Sequence, residues 1–245
     1  NTVRRQFVLT ASDGVPYDTI TIYKNKKTAE PLGVITKDGW SGEIRDIYTK
    51  DNEQVHIAYN GRLMKVAEDG SNAEILLSHA MNCDDYNYFY PQAIGPKMLD
   101  EIGVFMPQVK LGELGLEYTA YELETWQRAY KWHEDATHWL LKEYPDWQLF
   151  YIHLHGIDIY NHWYINMTLP GWSEDYKHYQ HMLETMYEYN DHYVGEILKY
   201  LDGDTNIFIT SDHAAVPNSP GEINPGFGTL HGIATKVMED LGYTN

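Results

Sequence analysis

The apolar pattern of this 245-residue chain changes period near residue 115, and that change limits the folds open to it. Before it, short apolar runs over residues 3–10, 19–23, 32–36, 54–59, 62–67 and 73–78 are set apart by turn residues, the signature of strands. Glu68-Asp69-Gly70-Ser71-Asn72 sits between two such runs as a hairpin turn, and Lys37-Asp38-Gly39 marks another. This half is expected to be mainly antiparallel β. Residues 83–116, rich in Tyr, Pro and Gly, read as a connector with one short helix over 97–102 stopped by Gly103.

Beyond the change, residues 118–144 read as a long helix ended by Pro145, and 147–154 as an apolar run of strand length. A second long helix is expected over 173–201, with Leu183, Met186, Val194, Ile197, Leu198 and Leu201 as its buried stripe. A strand over 206–210 and a helix over 234–241, closed by Gly242, complete an alternating order. That order implies an α/β fold, a parallel sheet flanked by helices. Two unlike modules follow: a β-rich one over 1–115 and an α/β core over 116–245.

Charge narrows the partners. Lys and Arg number 18 against 36 Asp and Glu, a net charge of −18, which repels nucleic acid and anionic lipid and favours metal cations. With 43% hydrophobic and 14% aromatic residues the chain has the material for packed cores. The best apolar stretch, 147–157, is too short to span a bilayer and contains two histidines. Cys83 is the sole cysteine, so any metal site must be built from His, Asp and Glu. A lone cysteine suits the cytoplasm. The start at Asn1, with no charged and apolar leader, reads as a processed or excised chain.

In open α/β sheets, ligands bind beyond the carboxyl ends of the strands. The first expected strand runs into His153-Leu-His155-Gly-Ile-Asp158-Ile-Tyr-Asn-His162, and the second into Ser211-Asp212-His213. Asp158 and His162, four residues apart, share one face of a helical turn and can reach one ion. The same spacing occurs at Glu134/His138, Glu174/His178 and Glu188/His192, which fall in expected long helices and read as solvated faces. Asp-His also occurs at Asp191-His192 in mid-helix, whereas at Asp212-His213 the strand-to-loop bend lets both side chains turn toward one site. His153 and His155 are either donors that orient the carboxylates or polar residues near a strand end. Ser211 reads as a loop cap. Trp126, Trp132 and Trp139 read as packing residues with polar edges.

Taken together, the strand with Asp158-x-x-x-His162, the helix with Tyr189-Asn-Asp191-His-Tyr-Val-Gly195-Glu-Ile-Leu and the strand with Ser211-Asp212-His213 resemble the alkaline phosphatase superfamily, most closely its type I phosphodiesterase/nucleotide pyrophosphatase branch. The resemblance covers about residues 118–245. It implies two divalent metal ions, usually zinc, with Asp158 and His162 on the first and Asp212 and His213 on the second, and a Thr or Ser nucleophile attacking a small phosphate ester or nucleotide. The pattern also calls for an early Asp followed by that nucleophile. Phe7-Val-Leu-Thr-Ala-Ser-Asp13-Gly14 imitates this start, yet the expected Thr/Ser-rich segment does not follow it, and Thr28, Thr36 and Ser41 are the candidate hydroxyls. The resemblance therefore implies that residues 1–115 are an inserted cap, that the nucleophile lies outside this chain, and that the chain alone retains metal weakly and turns nothing over. His231 is one candidate for a further metal ligand, against which Met238-Glu-Asp-Leu-Gly-Tyr243 resembles the helix that relatives place before that histidine. Ala214 stands where the family usually has Gly. A phosphomonoesterase, sulfatase or phosphomutase shares the same ligand pattern, and a binding module that has lost the chemistry shares the scaffold.

Overall fold

A computed structural model describes residues 4–12, 16–211 and 213–217. They fall into two units: residues up to Tyr151 together with Asp191–Leu201, and Ile152–Asn190 together with the described residues from 202 onward.

The first unit holds every strand among the described residues. Strands β1 (Gln6–Thr10), β2 (Thr19–Tyr23) and β3 (Pro31–Thr36) form an antiparallel sheet. A second sheet joins β4 (Ile44–Lys50), β5 (Glu53–Tyr59) and, further along the chain, β8 (Met81–Asn82). The remaining pair, β6 (Gly61–Val66) and β7 (Ala73–Leu77), is the hairpin expected around residues 68–72. Its turn closes through Ala67 N–H donating to the Asn72 carbonyl at 2.9 Å, with Gly70 at φ +71°.

Alternation does the packing. On β2, Ile20 and Ile22 point inward and join Ile35, Ile44, Tyr59 and Leu63 in one buried cluster. Gly61 lies so close to this cluster that a Cβ there would stand 2.2 Å from Ile35 Cδ1. Strand β4 escapes the sequence pattern because it carries Arg45 and Asp46 among its apolar residues. Asp46 is nonetheless buried, and Arg5 satisfies it with two hydrogen bonds of 2.5 and 2.8 Å.

Helix α1 (Ile94–Glu101) is the expected short helix, begun three residues sooner, and α2 (Thr119–Glu143) matches the first long one. Helix α2 is fastened to the β6–β7 hairpin by polar contacts. Arg62 Nε donates to Glu124 at 2.9 Å, the Tyr121 hydroxyl to the Met64 carbonyl at 2.6 Å, and the Tyr118 hydroxyl to Glu74 at 2.6 Å. Lys65 donates to Tyr118, which holds its ammonium in the charged form and pushes its pKa up to about 12. Residue 115, where the sequence changes period, thus lies inside the first unit. Trp126 is buried, and Trp132 Nε1 donates to the Gly103 carbonyl at 3.0 Å, as expected of packing residues with a polar edge.

Helix α3 (Gly156–Tyr164), a 3-10 turn (Ile165–Thr168) and the first part of α4 (Tyr176–Leu198) build the second unit. Tyr160 is fully buried and donates to the Tyr179 carbonyl at 2.8 Å, while Tyr164 stacks on the Tyr179 ring at 5.2 Å. The buried line of α4 is Tyr179, Met182, Met186 and Tyr193. It is displaced by about one residue from the expected stripe: Leu183, Val194 and Ile197 flank it and Leu198 is exposed. Tyrosines explain the shift, because their rings bury while the hydroxyls find partners. Tyr193, in the part of α4 that belongs to the first unit, shares a 2.7 Å hydrogen bond with Thr137.

The α/β class holds, with helices beside antiparallel sheets. Residues 147–154 and 206–210 do not form the expected parallel strands; they join no ladder among the described residues, and Leu149 and Phe208 are 86% and 89% exposed. A strand needs a neighbour for its N–H and C=O groups. Every described ladder pairs residues between Gln6 and Asn82. The expected helix over 234–241 lies outside the described residues.

Candidate active site

Asp158 stands in the first turn of α3, where the helix dipole favours a carboxylate. Three imidazoles surround it. His162, one turn on, brings Nε2 to 3.3 Å from Asp158 Oδ1, as the four-residue spacing demands. His213, from the segment after residue 210, brings Nε2 to 3.5 Å from the same oxygen. His155, at the N-cap of α3, places Nε2 at 2.6 Å from the other oxygen, Oδ2. The His153 ring leans on His155 with centroids 4.8 Å apart.

The side chain of Asp158 is 24% exposed and that of His162 70%. His213 Nδ1 lies 3.2 Å from the Ala214 carbonyl, which can only accept. His162 and His213 each approach Asp158 Oδ1, but the ligand atoms of the three do not all lie within 4.8 Å of one another; among the described residues, those of Glu134, Asp135 and His138 do.

Of the four expected ligands, Asp158, His162 and His213 are thus brought to one place, and Asp212 lies outside the described residues, as do Asp13 and His231. His155 contacts the carboxylate, which favours the orienting reading of that residue over the one of a polar residue near a strand end. The three hydroxyls belong to the first unit, and Ser41 there accepts from Gly61 N–H at 2.9 Å and donates to the Gly42 carbonyl at 2.8 Å.

One control pair departs from expectation. Glu188 is exposed, and Glu174 lies ahead of α4, but Glu134 is buried, with Lys131 at 2.9 Å from one oxygen and His192 at 3.4 Å from the other. The Glu134/His138 spacing was visible; that Glu134 points away from solvent was not.

The family model for type I phosphodiesterase / nucleotide pyrophosphatase matches residues 86–228, more than half of the chain. The chain belongs to that family. A search of the curated proteins finds no match, and neither does one of the solved structures. The matched span takes in α2, α3, α4 and the whole Asp158 cluster, while β1 to β8 precede it. Membership in the type I phosphodiesterase / nucleotide pyrophosphatase family makes the protein a phosphoric ester hydrolase in kind, with small-molecule nucleotides or phosphate esters as the substrate class. No helix among the described residues is long and apolar enough to cross a membrane.

Proposed function

We propose that the protein is a metal-dependent phosphodiesterase or nucleotide pyrophosphatase, and that this chain carries the metal-holding side of its site. The observation that supports it most is the meeting of His162 and His213 at Asp158 Oδ1. Asp158, His162 and His213, with Asp212, would hold divalent ions, zinc first among them. Bound there, such ions polarise the phosphoryl oxygens and lower the nucleophile's pKa. The Thr or Ser nucleophile comes from a segment outside these 245 residues, and residues 1–115 are a β-rich cap that selects the leaving group.

The chain's own residues prepare the site. His155 Nε2 lies 2.6 Å from Asp158 Oδ2, a contact that would keep the carboxylate from rotating, so that Oδ1 stays turned toward His162 and His213. A protein of net charge −18 repels phosphate, so cations held by these residues would supply the local positive potential that admits a substrate.

A panel of nitrophenyl substrates tests the reading. Phosphodiester or nucleotide pyrophosphate cleavage well above phosphomonoester and sulfate ester cleavage supports it. A preference for monoester or sulfate moves the protein to a sister activity, and no hydrolysis with the natural flanking sequence restored favours a binding module.

A further inference from the structure

We propose that Glu134, Asp135 and His138 of helix α2, joined by His192 of α4, form a site for a borderline divalent cation such as zinc, separate from Asp158. The ligand atoms of Glu134, Asp135 and His138 all lie within 4.8 Å of one another. His192 adds a second imidazole from a different helix, with Nε2 at 3.4 Å from Glu134 Oε2. These residues belong to the first unit, whereas Asp158 belongs to the second.

Two further observations point to a cation here. The Glu134 side chain is only 10% exposed, and a carboxylate so placed requires positive charge beside it. His138 Nε2 is shut off from solvent and has no hydrogen-bond partner among the described residues, so the ring is not accounted for by ordinary hydrogen bonding. The place is already taken by a cation of the protein's own, since Lys131 Nζ lies 2.9 Å from Glu134 and 2.6 Å from Asp135. The Lys131 side chain is 60% exposed and can swing out to solvent. Two imidazoles with two carboxylates suit zinc or cobalt better than calcium or magnesium, which prefer oxygen alone.

Zinc titration of the full chain, followed through the imidazole ¹H–¹⁵N signals, tests this directly. His138 and His192 signals should shift together, in the wild type and equally in Asp158→Asn, so the outcome is independent of the proposed phosphodiesterase site. His138→Gln and His192→Gln should each weaken this binding by about tenfold or more, at least the loss expected even for an outer partner of a metal site. Lys131→Gln should tighten it, because the competing ammonium is gone, and urea unfolding of that variant checks that it still folds. Signals of His138 and His192 that stay still at millimolar zinc, or a Lys131→Gln chain that binds no more tightly than the wild type, would overturn the proposal.

Discussion

His213 Nε2 lies 3.5 Å from Asp158 Oδ1, so the segment after residue 210 and the first turn of α3 meet at one carboxylate oxygen. That oxygen also faces His162 at 3.3 Å, which makes the rotation of the Asp158 carboxylate the geometric variable of the site.

His155 sets that rotation through its 2.6 Å contact with Oδ2. His155→Ala is expected to lower zinc affinity by about 10- to 100-fold, the usual effect of losing a residue that orients a ligand. The urea midpoint should hardly move, because the His155 side chain is 54% exposed. Calorimetric titration beside urea unfolding separates the two effects; equal zinc affinity in variant and wild type would remove His155 from the site.

Arg5 and Asp46 tie β4 to the chain segment ahead of β1 through a largely buried pair. Arg5→Met leaves the Asp46 carboxylate buried and short of its guanidinium partner, and is expected to cost about 3–5 kcal/mol of stability. Urea unfolding of the variant measures it. A loss well under 1 kcal/mol would show that solvent reaches Asp46 once Arg5 is gone.

His133 gives stability a pH dependence. Burial holds its pKa below the ordinary 6.5, a pull that its hydrogen bond with the Ala129 carbonyl only partly opposes. The unfolded chain therefore binds more protons than the folded one as the pH falls below 6.5, so stability is complete above that value and declines beneath it. Denaturation midpoints at pH 7.5 and 5.5 should fall in the wild type and fall less in His133→Gln. Equal falls would place the titrating group elsewhere.

Local pattern made much of this molecule legible. Strands β1, β2, β3, β5, β6 and β7 and helices α1, α2 and α4 follow from period and turn chemistry. What escaped depended on distant partners. The charges in β4 argue against a strand until Arg5, far back in the chain, is seen to neutralise Asp46. Residues 147–154 and 206–210 have strand composition, but composition cannot supply a neighbouring strand. For the site, the Asp158/His162 spacing already implied a shared face. The 2.6 Å contact of His155 and the burial of Glu134 arise from where loops and helices turn, which no spacing rule encodes.

The most direct test of the central claim is zinc-supplemented hydrolysis of a nitrophenyl phosphodiester by the protein with its natural flanking sequence, beside this 245-residue chain and an Asp158→Asn variant of the longer protein. Turnover by the longer protein alone, lost by at least about 100-fold on Asp158→Asn, is the predicted result. Undiminished turnover in the variant, or a longer protein that neither binds zinc nor hydrolyses the ester, would contradict it.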